Sequence, residues 1–145
     1  MKALIQRVTG ASVAVAGRKV AAINGGLLVL LGVERGDGEG NTQKMAQRLC
    51  AYRVFADEQG KMNKSLIDVG GSVLLVSQFT LAADTKKGLR PGFSSAAPHA
   101  EAQQYYQLLG RLIEQQGIHL ETGEFAADMA VSLVNDGPVT FLLES

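Results

Sequence analysis

With 145 residues, 46% of them apolar and 19% charged, the chain can enclose a core of its own and is too apolar to be disordered. Its 14 basic and 14 acidic residues cancel, so no global field holds a long duplex; a nucleic-acid partner would be gripped locally, through few phosphates. The single cysteine, Cys50, excludes an internal disulfide, and no run approaches the roughly 20 apolar residues of a membrane span.

The opening MKALIQRVTG places Gln6 and Arg7 where a signal peptide needs an unbroken apolar stretch, so a cytoplasmic protein with a reduced thiol is expected. Ala3 to Val15 is rich in Val and Ile, and Ala16-Gly17-Arg18-Lys19 predicts a turn into a strand at Val20–Ile23. Asn24-Gly25-Gly26 breaks the chain before LLVLLGV, Leu27 to Val33, which has no polar face and reads as a strand covered on both sides. Gly36 to Gly40 is a loop, after which Asn41 or Thr42 caps a helix that buries Met45, Ala46, Leu49 and Cys50.

Val73 leads into LVSQFTL, Leu75 to Leu81, which reads as one more strand, with Ser77 and Phe79 on one face and Gln78 and Thr80 on the other. Pro98 opens a second helix whose stripe is Ala102, Tyr105, Tyr106, Leu109, Leu112 and Ile113, with Gly117 at its stop. The period then returns to two. Phe125, Ala127, Met129, Val131 and Leu133 predict one strand, and Val139, Phe141 and Leu143 a second beyond a turn at Asn135-Asp136-Gly137-Pro138. Residues 1–145 therefore read as one α+β domain, mostly antiparallel strands with two main helices against the sheets.

Much catalytic apparatus is missing. His99, beside Pro98, and His119 read as helix-end or surface residues, and neither has a second histidine or cysteine at metal-ligand spacing. A histidine triad is thus weakly supported, and no phosphate-binding glycine motif occurs. Asp128 and Asp136 lie in or beside one predicted strand, a separation that does not by itself define a carboxylate pair.

Two stretches carry chemistry. Ser77, Gln78 and Thr80 put polar groups into a segment that otherwise reads as core, where an unpartnered group costs roughly 1–3 kcal/mol. Such hydroxyls either brace the backbone or meet a ligand. Just downstream, Lys86, Lys87 and Arg90 cluster on a Gly/Pro-bearing loop, either as a solvated charge run or as a seat for one or two phosphates. The second stretch, NDGPVT, holds a Gly137–Pro138 bond whose isomer the sequence leaves open.

Along nearly its whole length the chain resembles the D-aminoacyl-tRNA deacylases. The resemblance runs through LIQRV, ASVAV, GLLVLLGV, RVFADEQGKMNKSL, LLVSQFTLAADTKKGLRPGF and NDGPVTF; SQFTL and GPVT, in this order, are its specific marks. Gly92 departs from it, since relatives often carry a serine there. The resemblance implies a β-barrel-like homodimer that hydrolyses the ester between a D-amino acid and the terminal adenosine of tRNA, without metal or other cofactor. It places the site at the dimer interface, where Ser77, Gln78, Phe79 and Thr80 of one chain face Gly137 and Pro138 of the other. The Gly137–Pro138 bond would be cis, and Arg7 would help fix that turn.

Under this resemblance the backbone N–H groups of Gln78 and Phe79 serve the ester carbonyl as an oxyanion hole does. Thr80 sits beside the ester, and Ser77 bonds substrate or braces the strand. Water attacks with help from the 2′-hydroxyl of the terminal ribose, and Lys86, Lys87 and Arg90 take phosphates. The carbonyls of Gly137 and Pro138 form a rigid wall against L side chains, which glycine would pass. Two alternatives stay open: an esterase with Thr80 as nucleophile, which needs an adjacent base, and a non-catalytic dimer that binds RNA ends.

Overall fold

The apolar run at Leu27–Val33 forms the centre of the sheet, because both of its faces are covered by different cores. The computed structural model describes residues 1–145. Strands β1 (Lys2–Val15), β2 (Arg18–Ile23) and β3 (Gly26–Gly32) are followed by helix α1 (Glu39–Ala51), the small hairpin β4 (Phe55–Ala56) and β5 (Met62–Lys64), and α2 (Leu66–Val69). Strand β6 (Ser72–Ser77), helix α3 (His99–Gln115), β7 (Leu120–Thr122) and β8 (Ala130–Glu144) complete the chain.

The main sheet has the order β2-β1-β3-β6-β7, with β8 added to β1. Strand β1 pairs antiparallel with β2, β3 and β8, whereas β3–β6 and β6–β7 are parallel. The expectation of mostly antiparallel pairing is corrected to a mixed sheet. The reason is that helices intervene between β3 and β6 and between β6 and β7, and such crossovers return the chain in the same direction. The sheet curls until β2 meets β6 and β7, which makes it barrel-like.

Leu28, Leu74 and Val76 point into the barrel with Val13 and Ile23. Leu27, Val29, Val73 and Leu75 point the other way, against Met45, Leu49, Leu109 and Ile113 of α1 and α3. This alternation explains why β3 and β6 carry no polar face. The expected apolar face of α1 is the one that is buried. Its start is three residues earlier than the Asn41 cap reading: Gly38 precedes the helix, Asn41 Oδ1 accepts from Gly38 N–H at 2.7 Å, and Thr42 Oγ1 donates to the Gly38 carbonyl at 2.7 Å. Both residues thus serve the helix start from inside its first turn.

Pro98 stands immediately before the first residue of α3, and Gly117 just beyond its end. A third helix, α2, is a single turn that the apolar periodicity does not reveal. Its Ser65-x-x-Asp68 capping box was the available sign: Ser65 N–H donates to Asp68 Oδ2 at 2.8 Å and Ser65 Oγ accepts from Asp68 N–H at 3.3 Å. No helix is long and apolar enough to cross a membrane.

Strand β8 differs most from expectation. Phe125 and Ala127 lie in turns, not in a strand, and residues 130–144 form one strand, not two joined by a reversal. Val131 pairs with Val13 and Thr140 with Gln6, so the chain keeps its direction through Asn135-Asp136-Gly137-Pro138. That segment is a bulge in which residues 136–139 stand opposite Arg7 alone.

Cys50 is a core residue of α1, 1% exposed, and burial pushes its thiol up to about 11. A buried neutral thiol disfavours ionisation in the fold alone, so folding stability should fall as pH rises from about 9 towards 11. At pH 8 an aromatic disulfide reagent should leave Cys50 unlabelled until denaturant unfolds the chain; rapid labelling of native protein would contradict this burial.

Candidate active site

Strand β6 ends at Ser77, where the predicted strand would have run on to Leu81. Gln78 N–H donates to the Leu31 carbonyl at 2.7 Å, the last rung between β6 and β3. Phe79–Ala82 then forms a 3₁₀ turn, closed by Leu81 N–H to the Gln78 carbonyl and Ala83 N–H to the Thr80 carbonyl. The expected alternation of Ser77 and Phe79 against Gln78 and Thr80 is therefore absent. Gly32 makes the turn possible: a Cβ there would lie 2.9 Å from Leu81 Cβ and 3.1 Å from the Gln78 carbonyl oxygen.

This geometry corrects one expectation directly. Gln78 N–H is spent on the sheet and is not free for an oxyanion. The first two N–H groups of the turn, those of Phe79 and Thr80, have no acceptor within it. The Gln78 side-chain amide donates to Thr80 Oγ1, so that hydroxyl keeps its own proton to donate. Thr80 and Phe79 are exposed and Ser77 is half-buried. Phe79 packs on Phe93 with ring centroids 5.2 Å apart.

A cavity of about 310 Å³ opens beside the turn, lined by Ser77 and Phe79 with Leu31, His99, Tyr106 and Phe125. A second, of about 260 Å³, touches Ser77, Gln78 and Phe79 with Asp128 and Met129. Tyr106 is a core residue, as its periodicity implies, and also a brace: its hydroxyl donates to the Leu75 carbonyl at 2.9 Å, two residues before Ser77. Burial pushes that phenol up to about 12, so it remains a donor. His99 sits at the start of α3 as expected, exposed, with its ring edge on Phe125 at 5.1 Å. No cluster of three His, Cys, Asp or Glu side chains is placed to hold a metal ion.

The bulge on β8 is held by Arg7. Its Nε donates to the Asp136 carbonyl at 2.9 Å and lies 3.5 Å from the Asp136 carboxylate, while Nη1 donates to the Val54 carbonyl at 2.7 Å. Asn135 closes the other side, its Oδ1 accepting from Val139 N–H at 2.7 Å. Gly137–Pro138 is a cis peptide. Within one chain this bulge and the Thr80 turn do not meet. They are three strands apart across the sheet, about 14 Å, and four residues apart along it. Lys86, Lys87 and Arg90 are all exposed, none in an ion pair, on a loop whose ends are tied by two Asp84–Gly92 backbone hydrogen bonds.

A sequence profile described as D-Tyr-tRNA(Tyr) deacylase matches residues 4–144. The chain belongs to that family. It is 60% identical over 145 residues to a D-aminoacyl-tRNA deacylase of Stutzerimonas stutzeri, and 55% identical to one of Pectobacterium atrosepticum, each match covering 100% of both proteins. Among solved structures, one titled c-Myc DNA Unwinding Element Binding Protein is 40% identical, covers 100% of this chain and 99% of its own, and superposes with a TM-score of 0.94. A probable eukaryotic D-amino acid tRNA deacylase shares the fold at a TM-score of 0.83 and 14% identity, covering 98% and 97%.

Measured against this geometry, sequence reasoning did not find Gly32, Tyr106, Phe93 or Phe125 as parts of the deacylase site. A glycine closing an otherwise apolar strand was a usable sign for Gly32. Tyr106 and Phe125 were indistinguishable from core by periodicity. Gly137 was found, and the space around it is restrictive: φ is +144°, and a Cβ would lie 2.6 Å from Val139 Cγ2 and 3.3 Å from Arg7 Nη2. Gly137→Ala should therefore destabilise the fold by about 1–3 kcal/mol, read from the midpoint of urea unfolding. An unchanged midpoint would show that the bulge relaxes freely.

Proposed function

We propose that the Ser77–Thr80 turn of one protomer and the Asp136–Val139 bulge of a second enclose the 3′ end of a D-aminoacyl-tRNA and hydrolyse its ester. As a member of the deacylase family the chain is a hydrolase acting on ester bonds. The observation that carries the rest is the pair of N–H groups at Phe79 and Thr80, which lead the turn with no acceptor inside it. Two adjacent main-chain donors suit the oxygen of a tetrahedral intermediate, where such groups are worth most. Gln78 takes part through its side chain, which orients the Thr80 hydroxyl, and not through its N–H.

Water is the nucleophile in this reading, helped by the 2′-hydroxyl of the terminal ribose. A Thr80 nucleophile needs a base to take its proton, and the partner of its hydroxyl is a Gln78 amide, which accepts none at its nitrogen. Assembly as a homodimer is supported by two features. One chain keeps bulge and turn apart, and β8 offers a free edge, paired only with β1, on which Val134, Phe141 and Leu142 are exposed.

Selection by hand rests on shape. A D- and an L-aminoacyl group exchange hydrogen and side chain at Cα, so a contact to the ammonium alone binds both. Rejection needs an unyielding obstacle. The main chain at Gly137 and Pro138, held by Arg7 and Asn135, supplies it across the dimer. Glycine has no side chain to clash and passes. Lys86, Lys87 and Arg90 contact phosphates near the RNA end, which a protein of net charge zero must grip locally.

Release of amino acid from D-tyrosyl-, L-tyrosyl- and glycyl-tRNA tests the reading, with and without a chelator. D-tyrosyl- and glycyl-tRNA should be cleared and L-tyrosyl-tRNA spared; intact glycyl-tRNA at concentrations that clear the D-ester would refute the steric wall. Thr80→Ala should retain turnover within about tenfold, the worth of one hydrogen bond, whereas loss of a nucleophile would cost roughly 10⁴-fold or more. Replacing Lys86, Lys87 and Arg90 together with glutamine should flatten the dependence of log affinity for tRNA on log salt by about 2. An unchanged slope would remove the loop from the phosphate path.

A further inference from the structure

We infer that Leu89, at the tip of the Asp84–Gly92 loop, covers the face of a base one or two nucleotides before the terminal adenosine of the RNA substrate. The inference rests on the deacylase reading of the neighbouring turn and extends it to a second contact. Leu89 is fully exposed, more so than any other large apolar side chain of the protein. It packs against nothing in its own chain, so the fold gives no reason for an apolar residue there.

The loop that presents it is built rather than slack. Asp84 N–H donates to the Gly92 carbonyl at 2.7 Å and Gly92 N–H to the Asp84 carbonyl at 2.9 Å, while the Asp84 carboxylate accepts from Lys86 N–H at 2.9 Å. It leaves from the end of the 3₁₀ turn and returns through Phe93, which packs on Phe79. The tip is therefore coupled to the residues that meet the ester.

Charge selects the partner. Lys87 and Arg90 flank Leu89, Lys86 lies just before, and none of the three has a carboxylate within ion-pair distance. An apolar tip ringed by free cations fits a single-stranded nucleic acid, whose bases offer apolar faces between phosphates. Contact with a base face tolerates any base, so this grip would add affinity without restricting the tRNA.

Two substrates separate loop from site: D-tyrosyl-tRNA, and the D-tyrosyl ester of adenosine alone. Leu89→Ser should raise KM for the tRNA roughly tenfold with kcat unchanged, the scale of one lost stacking contact, and leave both constants for the adenosine ester as they were. Leu89→Phe, which keeps a broad apolar face, should restore the lower KM. An unchanged KM for tRNA, or an equal loss on both esters, would overturn the inference. Wild-type protein inert on both esters would count against the turn and not the loop. Fluorescence anisotropy with uncharged tRNA then decides: binding weakened about tenfold by Leu89→Ser supports the contact, and equal binding refutes it.

Discussion

The hydrogen bond from Gln78 N–H to the Leu31 carbonyl marks where sheet becomes site. Below it, β3 and β6 satisfy one another rung by rung and are buried on both faces. Above it the chain turns, and the next N–H groups have no strand to meet. A strand continuing to Leu81 would have offered its donors to a ladder partner. The 3₁₀ turn instead leaves those of Phe79 and Thr80 for something else, at a position fixed by a fully packed sheet. Donors of this kind need little reorganisation when charge develops beside them, which is the condition under which they are useful.

What holds this junction is mostly volume. Gly32 admits the turn onto the end of β3, where a methyl group would collide with Leu81 Cβ and the Gln78 carbonyl. Tyr106 reaches from α3 to the Leu75 carbonyl, so the helix that covers the outer core also positions the strand entering the site. The bulge is secured differently, by charge and polar groups: Arg7 ties the Asp136 carbonyl to that of Val54, and Asn135 takes the N–H of Val139. Each half is rigid within its own chain before any partner arrives.

Much of this was legible in the sequence, and what was not has a physical cause. Unbroken apolar runs at Leu27–Val33 and Val73–Val76 announced strands covered on both sides, and the helix stripes fell where α1 and α3 lie. Period-two patterns do not say whether neighbouring strands run parallel, so the mixed sheet stayed hidden. Asn-Asp-Gly-Pro has the composition of a reversal, and composition cannot distinguish a turn from a bulge that lets a strand resume beyond it; long-range pairing with β1 decides that. Ser77 to Thr80 could be singled out because polar groups stood in apolar company. Which of their N–H groups is free depends on Leu31 and Gly32, more than forty residues away, and no local pattern carries that information.

A site assembled from main-chain donors and main-chain walls shifts its sequence requirement away from functional side chains. Any residue supplies an N–H at position 79 or 80; what cannot be varied is the space that lets the backbone take its shape. Gly32 and Gly137 are the residues on which that space depends, one for the turn and one for the bulge. This accounts for the scarcity of recognisable catalytic residues in the chain. It also bears on hand selection in the proposed dimer. A side-chain barrier can rotate aside at the cost of a rotamer change, whereas a backbone barrier braced at Asp136 and Val139 yields only if its own hydrogen bonds break. Discrimination would then be set by how rigidly the bulge is held, which makes Arg7, remote from the ester in its own chain, a determinant of fidelity.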